Sequence, residues 1–177
     1  IENGYYKFNK EYVHFRVDTT LGHHLADVEM IVKKAQNEID STDYSHHRFH
    51  IGNIYYEQIS DKPFLRPKVL RNATAIGNGQ LYRESKMHET YARMSRLSAV
   101  AAANVHVSPR TDGSDTLDVN ISLTPNKRNS FSTELEGTNS AGDLGAAASI
   151  TYQNRNLFKG SELFNIKLRG AFEAIKG

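Results

Sequence analysis

The chain carries eight histidines in 177 residues, and His23/His24 and His46/His47/His50 are the groupings that could ligate a metal. Neighbouring residues of an extended chain point to opposite sides, so only one member of an adjacent pair can face a common site. No acidic residue recurs beside them at the spacing of a zinc motif, and the chain has no cysteine to supply thiolate. They read as loop histidines. Ser, His and Asp are plentiful, but no Gly-x-Ser-x-Gly elbow accompanies them. The glycine-rich stretch from Gly137 to Gly145 lacks the dinucleotide-binding order, and no helix follows it. Glu134 and Glu136 share one side of an extended run, where alternation makes a polar sheet surface of them and not an acid/base pair. No catalytic, metal-binding or cofactor-binding residue is assigned. The expectation is a protein that is not an enzyme and uses no cofactor.

The chemistry that remains belongs to the backbone, and the strands that would present it are easy to see. From Ser130 to Glu173 the chain splits into three alternating runs. Phe131, Thr133, Leu135 and Gly137 oppose Ser130, Ser132, Glu134 and Glu136; Leu144, Ala146, Ala148, Ile150 and Tyr152 oppose Gly145, Ala147, Ser149, Thr151 and Gln153. Phe164, Ile166, Leu168, Gly170 and Phe172 oppose Asn165, Lys167, Arg169, Ala171 and Glu173. This is the pattern of a half-buried antiparallel meander. Each run has about the 9–11 residues that a tilted strand needs to cross a bilayer. Three strands cannot close a barrel, and they leave two edges unpaired. The expectation is a fragment cut inside a membrane barrel, poorly packed on the rest of the chain and prone to strand exchange or dimer contacts with another copy.

Composition narrows the alternatives. A net charge of +2 with no Lys/Arg block gives no footing for nucleic acid. No apolar run reaches the roughly 18 residues of a membrane helix, whereas a membrane strand signals itself by alternation and stays open. The opening residues Ile1 to Tyr6 have neither the basic start nor the apolar centre of a leader peptide.

Taken in order, Tyr5 to Phe8 is a short apolar run. Val13, Phe15 and Val17, then Ala26, Val28, Met30 and Val32, predict a hairpin with one greasy face and no helix to cover it, turning at Thr20 to His24. Asn37 to Ser45 is polar and linker-like. Phe49, Ile51, Ile54 and Tyr56 predict a strand with a bulge at Gly52. Pro67 opens a helix bearing Val69, Leu70 and Ala73 that Gly77 and Gly79 end. Ser85 is the expected N-cap of a second helix, with Met87, Tyr91, Met94 and Leu97 as its core stripe. Val105 and Val107 start a strand that Pro109 ends, the cluster Thr111 to Asp115 makes a turn, and Leu117, Val119, Ile121 and Leu123 alternate in the last strand. Val13 and Val105 lie 92 residues apart, Ala26 and Leu117 91. The first hairpin therefore reads as the tail of an earlier copy of the same β-α-α-β-β module.

That module, with Gly79-Gln80-Leu81-Tyr82 before its second helix and Leu97 near its end, resembles a POTRA (polypeptide-transport-associated) domain. Ser132-Thr133-Glu134-Leu135-Glu136-Gly137, Gly142-Asp143-Leu144-Gly145 and Tyr152-Gln153-Asn154-Arg155-Asn156-Leu157-Phe158-Lys159-Gly160 are similar to the opening of the barrel in BamA/TamA-type outer-membrane assembly factors, in the form associated with the Bacteroidetes. One departure is Ala99-Val100-Ala101-Ala102-Ala103, where the family often carries a larger aromatic or charged cluster.

The resemblance implies an α+β chain. Residues 1–36 would be the C-terminal part of one POTRA domain, 37–46 a linker, 47–127 a complete POTRA domain and 128–177 the first strands of a truncated outer-membrane β-barrel. It also implies a place in the outer membrane of a Gram-negative bacterium, with the POTRA portion in the periplasm. The partners implied are unfolded outer-membrane proteins, other subunits of the assembly machinery and, through the full barrel, membrane lipid. Clients would be captured by β-augmentation along Asn104, Val105, His106, Val107 and Ser108. Phe131, Thr133 and Leu135 would lie on the first barrel strand, at the seam, and Arg155, Asn156, Leu157 and Phe158 in a barrel turn. Two other readings share the architecture: a two-partner secretion pore exporting a dedicated soluble protein, and the transport half of an enzyme–barrel fusion.

Overall fold

The computed structural model describes residues 2–20, 25–36, 43–140 and 143–174. A 3-10 turn at Lys10–Tyr12 leads into β1 (Val13–Asp18) and β2 (Asp27–Val32), followed by β3 (Ala35–Gln36), β4 (Asp43–Tyr44) and β5 (His50–Gln58). Helices α1 (Pro67–Ala73) and α2 (Glu84–Ser95) come next, then β6 (Val100–Pro109), β7 (Thr116–Pro125), β8 (Asn129–Ser140), β9 (Asp143–Asn154) and β10 (Phe164–Ala174). Two three-stranded sheets are formed, in the orders β5-β7-β6 and β10-β9-β8. The chain divides into two compact units, one from residues 1–55, 76–88 and 107–119, the other from 56–75, 89–106 and 120–177.

In the first unit, β1 and β2 pair antiparallel with Phe15 opposite Met30 and Val17 opposite Val28. All four of these side chains are more than half exposed, so the hairpin does carry an uncovered apolar face. Its expected turn at residues 21–24, with His23 and His24, lies outside the described residues. So does most of the expected linker, although Asp43–Tyr44 pairs with Ala35–Gln36. Phe49, Ile51, Tyr82, Met87, Leu117 and Val119 are buried. Burial along β5 changes phase between Ile51 and Ile54, and the Asn53 amide donates to the Asp118 carboxylate at 2.7 Å, which is how a bulge at Gly52 shows itself. A β-carbon on Gly52 would run into Asp118, Thr116 and Arg110. Asp118 also accepts two hydrogen bonds from Arg110 Nε at 3.1 and 3.0 Å and one from Nη2 at 2.9 Å. Arg110 and then the Asn53 amide hold the Asp118 carboxyl below its ordinary range.

In the second unit, Leu65, Leu70, Met94, Ile121 and Leu123 are buried. Helix α1 stops at Ala73, where the Thr74 amide bonds back to the carbonyls of Leu70 and Arg71, earlier than the glycines at 77 and 79 predict. The core stripe of α2 also differs from expectation. Tyr91 is 50% exposed, while Thr90 is fully buried and its hydroxyl accepts the Ala75 amide at 3.0 Å. The helix begins at Glu84, so Ser85 is not its cap. In the first unit the Ser85 amide and hydroxyl instead donate to the Glu2 carboxylate at 2.9 and 2.6 Å.

The three runs after Ser130 become β8, β9 and β10 with the alternation intact. Phe131 faces Tyr152, which faces Ile166; Thr133 faces Ile150, which faces Leu168; Leu135, Ala148 and Gly170 form the next row.

Candidate functional site

Three features stand out as candidate sites: an open strand edge, an amphipathic sheet and the turn that anchors that sheet. The edge is β6, outermost in its sheet. β7 fills the centre because Leu117, Val119, Ile121 and Leu123 are all 0% exposed, which needs strands on both flanks and cover on one face. β5 runs parallel to β7, with His50 donating to Asp115 near one end and Ile59 to Leu123 near the other. On β6, Asn104, His106 and Ser108 point to solvent, and Val105 and Val107 are half-buried. The strand begins at Val100, earlier than expected, so Ala101, Ala102 and Ala103 belong to it and not to the end of the helix. An alanine run costs the strand packing contacts on its faces but leaves its hydrogen-bonding edge intact.

The sheet β8-β9-β10 puts its apolar residues on one side and leaves them bare. Phe131 is 74% exposed, Leu135 87%, Leu168 69% and Phe172 72%. Covering such side chains is worth about 1.5–3 kcal/mol each, so four left in water is a large unmet term. The opposite side is polar and carries ion pairs. Glu134 accepts from Ser149 at 3.0 Å and from Lys167 at 2.8 Å, and Arg169 donates to Glu136 at 2.7 Å. Both cations reach from β10 across β9 to β8, and they can do so because β9 places Ala147 and Ser149 beneath them. An exposed apolar face backed by a bonded polar one is the design of a strand wall between lipid and a wet interior.

The β9–β10 turn is where the expectation of poor packing fails. The strands do stand with their apolar face open, but the turn is tied to its own unit. Buried Asn156 donates through its carboxamide to the Phe64 carbonyl at 2.7 Å, and its Oδ1 accepts the Ser161 amide at 3.1 Å. The Ser98 hydroxyl lies 2.6 Å from the Ser161 carbonyl and 2.9 Å from that of Arg155, Ala99 donates to the Ser161 hydroxyl at 2.9 Å, and Arg66 donates to the Lys159 carbonyl at 3.0 Å. Lys159 and Ser161 hold left-handed backbone at φ 59° and 64°, a conformation that costs a non-glycine residue about 1–2 kcal/mol. Glu162 steadies it by accepting the amides of Phe158 and Gly160, both at 3.0 Å. Of the other expected turn residues, Arg155 bonds Ser130 and the Lys127 carbonyl, Leu157 accepts from Arg128, and Phe158 is exposed.

No family model matches the sequence, and no curated protein is similar to it at a significant level. Solved structures are. BamA from Haemophilus ducreyi lacking POTRA domains 1–3 matches over 91% of this chain with a TM-score of 0.57 and 15% identity. CdiB from Acinetobacter baumannii matches over 96% with a TM-score of 0.55 and 11% identity. This is the POTRA-and-barrel fold. The chain spans 27% of the length of each of those two proteins. What it presents is therefore a POTRA domain and the opening strands of a barrel wall.

Within this POTRA-and-barrel fold the described histidines are dispersed. His46 Nε2 lies 2.9 Å from the Lys33 carbonyl with the rings of Phe8 and Tyr12 edge-on to it, and His47 Nδ1 lies 2.9 Å from Asp115. Among the described residues no three His, Asp or Glu side chains converge on one point. Sequence reasoning missed the N-terminal strap. Tyr6 packs edge-on against Phe49 and Tyr82, with ring centroids 5.9 and 5.3 Å away, and its hydroxyl donates to the Val107 carbonyl at 3.3 Å. Tyr5 to Phe8 signalled only that the segment is apolar.

Proposed function

We propose that the chain is part of an outer-membrane protein assembly or secretion factor of a Gram-negative bacterium, with its POTRA portion in the periplasm and β8 to β10 in the membrane. Residues 1–36 form the tail of one POTRA domain, 47–127 a complete one and 128–177 the start of the barrel. The finer reading is capture of unfolded barrel polypeptides by β-augmentation on β6, followed by delivery to the barrel, without enzymatic chemistry. Main-chain hydrogen bonds are blind to sequence, so one open edge serves many clients. The observation that carries the reading is the bare apolar face of β8-β9-β10 on a sheet whose other face is polar and bridged by ion pairs from β10 to β8. Its test is photo-crosslinking from position 106, which points to solvent on β6, in the intact protein in growing cells. Crosslinks to many nascent barrel proteins, lost with Val105→Pro or Val107→Pro in a folded protein, support capture for assembly. Crosslinks to a single exported soluble polypeptide would move the function to secretion, and crosslinks that survive both prolines would remove β6 from the site.

A further inference from the structure

Backbone direction decides which groups of β6 an incoming strand can use. The Arg110 amide donates to the Thr116 carbonyl across the hairpin at 3.0 Å. Successive residues of a strand direct their backbone groups to alternate sides, so residues 108, 106 and 104 also turn toward β7. Residues 103, 105, 107 and 109 then turn outward. The outward row stops at Pro109, which has no amide to donate and sits where an edge strand tolerates proline. At the other end, side-chain burial changes phase: Val100 is buried, Ala101 and Ala102 are both exposed, and Ala103 is half-buried. Two consecutive exposed residues between two inward ones mark a bulge, where regular pairing ends.

The Val107 carbonyl is already engaged by the Tyr6 hydroxyl. Tyr6 does not reach it by chance, because the strap just before it is fixed at two points. Glu2 binds the start of α2, Phe49 donates to the Gly4 carbonyl at 2.8 Å, and Gly4 (φ 92°) lies so close to Leu81 that a β-carbon there would clash.

We propose that β6 receives an extended client segment of about five residues in one register, opposite residues 103–107, bounded by the bulge on one side and by Pro109 and the Tyr6 hydroxyl on the other. This rests on the capture reading above. The groups on offer are the amides and carbonyls of Ala103 and Val105 and the amide of Val107. Tyr6 withholds the last carbonyl and so sets both the length and the strength of the grip. A client strand that extends past Val107 must first displace it.

The experiment is amide hydrogen exchange by NMR on the chain in detergent micelles, with and without a synthetic peptide copying Phe164–Glu173, an amphipathic barrel strand. The expected result is peptide-dependent protection of the Ala103, Val105 and Val107 amides and no new protection at residues 101 or 102. Tyr6→Phe keeps the ring packing and frees the carbonyl, and the peptide should then bind about three- to tenfold tighter. Unchanged affinity in Tyr6→Phe, with the same amides protected, would overturn the role of Tyr6. Peptide-dependent protection reaching residues 101 and 102 in the wild type would overturn the short register. No peptide-dependent protection anywhere on β6 would take down the capture reading itself, and the register with it.

Discussion

The two three-stranded sheets of this chain show the same alternation and opposite fates. In β5-β7-β6 the apolar face is shut away, to the point that four successive inward residues of β7 are 0% exposed. In β10-β9-β8 the apolar face is bare, and it is the polar face that carries the bonding, with Lys167 and Arg169 bridged to Glu134 and Glu136. Period-two patterning states that one face of a strand is apolar. It does not state what covers that face. The first sheet is interrupted in sequence by α1 and α2, whose Leu70, Met87 and Met94 are buried. The second is an uninterrupted meander whose apolar face stays exposed, and on the function proposed above its cover is lipid.

The contrast can be sharpened by substitution. Leu123→Ala in the covered sheet should cost about 2–5 kcal/mol in chemical denaturation, whatever the solvent. Leu168→Arg on the bare face should cost about 2–4 kcal/mol once the protein sits in a bilayer, and next to nothing for the chain outside one. An equal cost in both settings would mean that the face meets protein. Asn156→Ala should cost about 1–3 kcal/mol, because the Phe64 carbonyl and the Ser161 amide lose their partner where the strands join the POTRA side. The smallest effect is a pH term. Asp118 is held low by Arg110 and the Asn53 amide, so its contribution to stability is complete above its ordinary value of 3.8 and fades as pH falls through the lower folded value. The midpoint of thermal unfolding should fall below about pH 4 less steeply in Asp118→Asn than in the wild type.

Much of this was legible in the residues. Strict alternation over roughly ten positions fixes the face of every side chain, and a one-residue slip would turn all of them over, so the shared face of Phe131, Thr133, Ile150, Tyr152, Ile166 and Leu168 follows from pattern alone, whereas the rows they form are set by the pairing register. Helix faces were less certain, because the three- and four-residue steps compete. At α2 the competition went to Thr90 over Tyr91, since a threonine can be buried when its hydroxyl finds the Ala75 amide. The anchoring turn and the strap were out of reach for a different reason. Asn156 bonds a carbonyl 92 residues away, Ser85 a carboxylate 83 away and Tyr6 a carbonyl 101 away. No local period encodes contacts of that span.

The claim on which the account turns is that the face bearing Ile166 and Leu168 looks into lipid. The chain has no cysteine, so single labels at Ile166→Cys, Lys167→Cys, Leu168→Cys and Arg169→Cys report cleanly in proteoliposomes made with brominated lipid. The account predicts that bimane at 166 and 168 is strongly quenched while bimane at 167 and 169 is not. Quenching that fails to alternate, or that favours 167 and 169, would contradict it.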